Sequence, residues 1–121
     1  MNIEAFQNHC FNKKGVTGEF PFDQDTLVFK VMGKMFALTS LKNWEEGNPS
    51  VNLKCDPERS ENLRAQYEAI RPGYHMHKKH WNTVAFHDDV PDKMILELLD
   101  HSYGLVVGGL TKKMRDELES L

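Results

Sequence analysis

The stretch "LVFKVMGKMFAL", residues 27–38, restricts the fold more than any other part of the chain. Apolar residues alternate with other residues on both sides of Gly33, and a period of two is typical of half-buried β-strands. A two-residue turn of Gly33 and Lys34 fits a type II′ hairpin, in which glycine takes the first central position. Directly paired residues share a face, so this register groups five apolar side chains, which are Leu27, Phe29, Val31, Phe36 and Leu38.

A second alternating stretch, "SVNLKC" at residues 50–55, has the pattern of another strand of the same sheet. Its apolar residues point one way and its polar residues the other. If this strand joins the hairpin, the polar face of the sheet gathers Lys30, Asn52 and Lys54. That face is either simply exposed to solvent or a shallow basic platform for a partner.

Helix signals surround these strands. Asn2, Asp56 and Thr111 are suitable N-caps, and a helical stripe of apolar residues follows Pro91. The stretch "HWNTVAF", residues 80–86, is rich in aromatic and β-branched residues and predicts a last strand. The helix that begins after Asp56 would turn three side chains to the core, namely Leu63, Tyr67 and Ile70.

The order of elements is therefore helix, strand meander, helix, strand and two helices. This order predicts an α+β domain with N-terminal and C-terminal helices on one face of a mainly antiparallel sheet. A length of 121 residues suits a single domain, 1–121, that builds its core without metal or disulfides. Cys10 and Cys55 lie far apart and outside any CxxC motif, so we expect buried, reduced thiols.

The charge of the chain limits its partners. A net charge of −3 disfavours non-specific binding to nucleic acid. Residues 87–121 carry a net −4 and residues 1–86 a net +1, so any surface for anions must be local. No apolar run approaches the ~20 residues that span a bilayer, and no secretory signal is present. We expect a cytoplasmic monomer without a membrane partner.

The stretch "RPGYHMHKKHW", residues 71–81, carries the most distinctive chemistry. It holds three of the six histidines and two consecutive lysines, and no acid occurs from residue 69 to residue 87. The stretch has four interpretations, which are a metal site, a catalytic pocket, a nucleic-acid interface and a connecting loop that merely packs on the core.

The residue types argue against metal binding and catalysis. His75 and His77 share a face in an extended backbone, and His80 could close on them. However, the stretch supplies no carboxylate or cysteine ligand, and Lys78 and Lys79 repel a cation. No G-x-S-x-G, P-loop or H-E-x-x-H motif occurs. We therefore expect no metal, no cofactor and no enzymatic activity.

The same residue types suit nucleic acid. Arg71, Lys78 and Lys79 can bind phosphates, and Tyr74 and Trp81 can stack on bases or wedge into a groove. The opposing interpretation packs these aromatic side chains on the core and leaves the lysines in water.

At "PGYHMHKKHWNTV", residues 72–84, the chain resembles the MmcQ/YjbR family of small bacterial proteins, whose usual sequence there is PGYHMNKKHWNTV. Further matching stretches are "FKVMGKMFAL", "LKCDPE" and "DHSYGLVVGGLTKKMR". The resemblance covers nearly the whole chain, and it implies a CyaY-like fold, as in frataxin, with a "double wing" and a role in DNA binding. By position it points to Tyr74, His75, Met76, Lys78, Lys79, His80, Trp81 and Asn82.

Two features limit what the resemblance implies. His77 stands where the family usually has asparagine, so the third histidine of the stretch is a peculiarity of this chain. Frataxins bind iron through an acidic ridge on the first helix and first strand, whereas the first helix here has Glu4 as its one acid. Iron binding is therefore not implied.

The first hypothesis is a DNA-binding protein without catalysis. Its binding residues would be Arg71, Tyr74, His75, Lys78, Lys79, His80, Trp81 and Asn82, extended on the sheet by Lys30 and Lys54. The second hypothesis is a module that uses the same loop for a small anionic ligand or a protein partner.

Overall fold

The computed structural model describes all 121 residues, which form a six-stranded antiparallel sheet and five helices. The strands are β1 (Val16–Glu19), β2 (Thr26–Val31), β3 (Lys34–Ser40), β4 (Ser50–Lys54), β5 (Ile70–Pro72) and β6 (Trp81–Ala85). The helices are α1 (Ile3–Phe11), α2 (Leu41–Glu45), α3 (Pro57–Gln66), α4 (Asp92–Gly108) and α5 (Lys112–Glu119). The strand order across the sheet is β1-β2-β3-β4-β6-β5. The predicted α+β class is confirmed.

The main core lies between the helices and one face of the sheet. α4 packs against β2, β3 and β4, and Phe29, Phe36, Ile95 and Leu99 are fully buried at this contact. Phe6 of α1 joins them, with its ring edge-on to Phe29 and the ring centroids 5.8 Å apart. Full burial of one such side chain contributes about 1.5–3 kcal/mol. None of the helices, α4 included, has the length and hydropathy of a membrane span.

The hairpin between β2 and β3 turns one residue earlier than predicted. Met32 and Gly33 are its central residues, with φ of 50° and 77°, and Val31 pairs with Lys34. Positive φ at both positions is the mark of a type I′ turn, whose twist matches that of the strands. The predicted type II′ turn at Gly33-Lys34 is wrong because a methionine adopts the left-handed conformation here, and its side chain gives no signal of that.

A β-bulge then changes the register of this hairpin. Lys30 pairs with Met35 but Phe29 pairs with Ala37, so Phe36 is the extra residue on β3. A bulge of one residue flips the side chains beyond it to the other face. Leu38 therefore lies opposite Val28, on the face away from the helices. Its predicted place in the main core is wrong, whereas Leu27, Phe29, Val31 and Phe36 do lie there.

The helix starts agree with the predictions, and one helix end does not. Asn2, Asp56 and Thr111 each accept a hydrogen bond from a backbone N–H of the helix that they cap. α3, however, ends at Gln66, and Ile70 is the first residue of β5 instead of the last apolar residue of the helix. Its side chain still reaches the main core, because Ile70 pairs with the buried Val84.

Candidate functional site

We call the face of the sheet that points away from the helices the open face. The register places one row of side chains across it, one from each strand, namely Glu19, Val28, Leu38, Asn52, Thr83 and Arg71. Lys30, Asn52 and Lys54 share this face, as the alternation predicted. Residues 73–80, which we call the 73–80 loop, cover part of it.

Polar contacts anchor the start of the 73–80 loop to the floor of the open face. The hydroxyl of Thr83 accepts a hydrogen bond from the Tyr74 N–H at 3.0 Å and donates one to Asn52 Oδ1 at 2.6 Å. Asn52 Nδ2 donates in turn to the Tyr74 carbonyl, at 3.4 Å. Further along the loop, Met76 packs on a small second core of Val28, Leu38 and Trp81. The loop is therefore a packed part of the fold.

Arg64 of α3 holds the other end of the loop. Its Nη2 donates to the carbonyls of Lys78, at 2.5 Å, and Trp81, at 3.1 Å, while its Nε donates to Asn82 Oδ1 at 2.7 Å. Asn82 Nδ2 donates to Ser60 on the same helix. No local sequence pattern marks Arg64 for this role, because the carbonyls that it binds become its neighbours only when α3 and the loop meet.

Backbone geometry also restricts the loop. A Cβ added to Gly73 would lie 2.8 Å from the Cβ of Trp81, so no larger residue fits there without displacement. His75 adopts a φ of 58°, a left-handed conformation that costs energy for a residue with a side chain and often occurs at functional sites.

The structure divides the predicted binding residues into exposed and buried sets. Trp81 and Asn82 are 9% and 2% exposed, so Trp81 belongs to the second core and Asn82 to the contact with α3. Neither can stack on a base or bind a phosphate from these positions, which corrects the sequence-based assignment. The exposed set is Arg71, Tyr74, His75, Lys78 and Lys79.

Three further predicted residues lie at the end of the open face near the β2–β3 hairpin. Lys30 pairs with Glu19 at 2.5 Å, so much of its charge is neutralised. Lys54 of β4 pairs with Trp81 of β6. Desolvation lowers the pKa of His80 below its ordinary 6.5, and the charges of His77, Lys54 and Lys79 lower it further. His80 is therefore neutral at pH 7 and adds hydrogen-bonding capacity there, but no charge.

The histidines of the loop do not assemble a metal site. The rings of His77 and His80 lie 4.9 Å apart, but the ring of His75 lies against Tyr74, with centroids 4.0 Å apart. No group of three potential ligands from histidine, cysteine or carboxylate occurs anywhere in the chain. The cysteines are free and buried, and burial raises the pKa of Cys10 to about 12 and that of Cys55 as well. Neither is a reactive thiolate at neutral pH.

A groove of about 670 Å³ lies on the open face between the 73–80 loop and the segment that leads into β2. Tyr74 and His75, which line one side of the groove, are among the binding residues predicted from the sequence, and Asn52 was predicted on this face. The other side of the groove was not predicted, because Phe22 lies in an irregular segment and small polar residues on strands are usually just solvated. Six residues that line the groove are Phe22, Ser40, Asn43, Ser50, Asn52 and Tyr74.

Two carboxylates shape the far side of the groove. Asp23 accepts hydrogen bonds from the N–H groups of Thr26, at 2.6 Å, and Asp25, at 2.9 Å, and these bonds lower its pKa. Asp25 accepts from the Ser40 hydroxyl and from the Lys42 N–H. Both acids therefore fix the turn before β2, and Asp23, which lines the groove, makes this side negative.

The fold and the groove define a class of small α+β proteins with a loop packed over the open face of an antiparallel sheet. A model of the YjbR family matches residues 11–105 of the chain. The chain therefore belongs to the YjbR family.

Relatives extend over the whole chain. The uncharacterized protein YjbR of Escherichia coli (strain K12) is 34% identical over 121 residues, which is 100% of both chains. The uncharacterized protein YyaQ of Bacillus subtilis (strain 168) is 44% identical over 116 residues, covering 87% of this chain and 98% of the relative.

Solved structures share the fold. The crystal structure of Deinococcus radiodurans protein DR2400, of domain family DUF419, is 40% identical with a TM-score of 0.88 and covers 98% of this chain and 88% of that one. A crystal structure from Pseudomonas syringae is 28% identical with a TM-score of 0.73, covering 87% of this chain and 98% of that one.

Proposed function

We propose that the protein binds nucleic acid through the 73–80 loop and the adjoining edge of the open face, without catalysing a reaction. One observation carries this proposal. Arg71, Lys78 and Lys79 are exposed, and the salt bridges of the chain use other cations. Unpaired cations in and next to the loop that carries the exposed ring of Tyr74 combine phosphate binding with base stacking.

The interface is smaller than the sequence suggested. Trp81 and Asn82 are buried, and Lys30 is paired with Glu19. Three free cations neutralise about three phosphates, so the logarithm of the binding constant should fall with the logarithm of salt at a slope of about −2 for a single strand. This modest electrostatic contribution agrees with a chain whose net charge is −3.

The test is fluorescence anisotropy of a labelled oligonucleotide at several salt concentrations. The double variant Lys78→Glu/Lys79→Glu should lose at least tenfold in affinity at low salt, and its salt slope should become shallower, because two phosphate contacts become repulsive.

The chain offers a matched control. Lys112 and Lys113 are also consecutive, exposed lysines, but they lie on α5. Lys112→Glu/Lys113→Glu changes the net charge by the same amount and should leave most of the binding intact. Equal losses in the two double variants would show that net charge, and not the 73–80 loop, governs the interaction.

A further inference from the structure

Two exposed aromatic rings border the groove on the open face. Phe22 is 64% exposed and Tyr74 is 72% exposed, although side chains of this size are usually buried. Phe22 precedes β2, Tyr74 lies near the start of the 73–80 loop beside β6, and residues of β3 and β4 also line the groove. Each ring has a free face on which another flat, apolar surface can stack.

The floor between the two rings offers free hydrogen-bonding groups. Asn43 and Ser50 are half-buried in the groove and use their backbones in hydrogen bonds of the fold. The amide of Asn43 and the hydroxyl of Ser50 thus remain free to donate and to accept. One N–H of the Asn52 amide is also free, since its Nδ2 donates a single hydrogen bond, to the Tyr74 carbonyl at 3.4 Å. Flat rings with polar edges, such as nucleobases, use contacts of this kind.

The charges decide which part of such a ligand enters the groove. Asp23 lines the far side of the groove and makes it negative, so a phosphate or an acidic peptide is repelled there. Two of the three free cations, Lys78 and Lys79, belong to the loop on the other side. A ligand that places an uncharged ring in the groove and its phosphates over the loop avoids the negative far side and pairs with the cations of the loop.

The groove crosses several strands of the sheet. Neighbouring strands lie about 4.8 Å apart, so the three intervals from β2 to β6 span about 14 Å. Phe22 and Tyr74 line opposite sides of this span, so the two rings offer separate stacking surfaces to two consecutive bases.

From these observations we infer that the groove holds unpaired bases of a single-stranded nucleic acid, so that the protein prefers single strands to duplex. This inference rests on the proposed function. It specifies that the nucleic acid is single-stranded and that its bases are the part recognised.

The test compares three labelled ligands of equal length, about 12 nucleotides, by anisotropy at low salt: a mixed-sequence single strand, an abasic strand with the same phosphates, and a duplex. The single strand should bind at least tenfold more tightly than the abasic strand, because stacking of a base on an aromatic side chain is worth about a factor of 5 to 150. It should also bind more tightly than the duplex.

Variants assign this difference to the groove. Phe22→Ala and Tyr74→Ala should each lower affinity for the single strand about tenfold and leave affinity for the abasic strand unchanged. Phe20→Ala is the matched control, because Phe20 lies in the same segment as Phe22 and is 45% exposed but does not line the groove. The affinity of Phe20→Ala for the single strand should equal that of the parent. Thermal unfolding shows whether each variant is folded.

The outcomes separate the inference from the proposed function. If the abasic strand binds as tightly as the normal strand while Lys78→Glu/Lys79→Glu still weakens both, the groove is not a base site and the proposed function stands. If a nucleoside monophosphate binds as tightly as the strand, the groove takes a free nucleotide and the inference is overturned. If no oligonucleotide binds, both proposals fail.

Discussion

Ser102 is a polar residue at a fully buried position of α4, within a stripe of apolar side chains. Its hydroxyl donates to the Phe36 carbonyl at 2.6 Å and accepts from the Lys54 N–H at 2.9 Å. Phe36 is the bulged residue of β3, and the bulge interrupts the ladder to β4 at this point. Ser102 thus satisfies two backbone groups that the sheet leaves without strand partners.

We expect Ser102→Ala to lower the free energy of unfolding by about 2–3 kcal/mol, because it leaves a buried donor and a buried acceptor without partners. Urea unfolding measures this value. Ser120→Ala, at the exposed end of α5, is the control and should cost under about 0.5 kcal/mol. A cost for Ser102→Ala as small as that of the control would show that the backbone groups find other partners.

At the scale of elements, α3 and the 73–80 loop form one unit through Arg64. The guanidinium of Arg64 donates three hydrogen bonds, to acceptors of residues 78, 81 and 82. The N-cap Asp56 and the backbone N–H that it binds at the start of α3 lie a few residues apart in sequence, so this cap was predictable. The guanidinium contacts cross 14 to 18 residues and depend on how the helix docks, so sequence pattern did not reveal them.

We expect Arg64→Leu to loosen the loop, since three acceptors lose a charged donor and each such bond is worth about 1.5–3 kcal/mol. Hydrogen exchange of the amides at 76–81 should accelerate at least tenfold, and affinity for the single strand should fall. Arg59→Leu is the control on the same helix, because Arg59 makes a half-exposed ion pair with Glu97. Loop amides that exchange at the parent rate in Arg64→Leu would contradict this role.

At the scale of the whole molecule, Asp100 of α4 connects the N-terminal helix to the rest of the fold. It contacts His9 Nε2 at 2.8 Å and Lys13 Nζ at 2.5 Å. Partial burial acts to raise the pKa of Asp100, but the hydrogen bonds and charges of Lys13 and His9 outweigh it and hold the pKa below 3.8. The ionised carboxylate is therefore more favourable in the folded state than in the unfolded state.

The contribution of this lowered pKa is present above the unfolded value of about 3.9 and is lost as pH falls through the lower, folded value. We expect Asp100→Asn to destabilise the protein at pH 7 by under about 1 kcal/mol, because the carboxylate is half-exposed and screened. The difference should shrink as pH falls below the ordinary aspartate pKa of 3.8, as measured by urea unfolding at several pH values. Asp116→Asn, exposed on α5, is the control with the same change of charge and should leave stability at pH 7 close to that of the parent.

The sequence by itself determined the features that depend on neighbours along the chain. Alternation in 27–31 and 50–55 predicted strands, and Asn2, Asp56 and Thr111 predicted helix starts, because a cap and the N–H that it binds are three residues apart. The α+β class followed from the order of these elements. The acid-free stretch from 69 to 87 already located the loop that carries the free cations.

The tertiary structure alone decided which residues of that loop face outward and what surrounds them. The bulge at Phe36 moved Leu38 to the open face, where it packs with Trp81 and removes the indole from any binding surface. Asn82 turned inward to α3, and Phe22 came to lie across the sheet from Tyr74. These outcomes depend on strand register and helix docking, which are set by packing between residues far apart in the chain and leave no local pattern in the sequence.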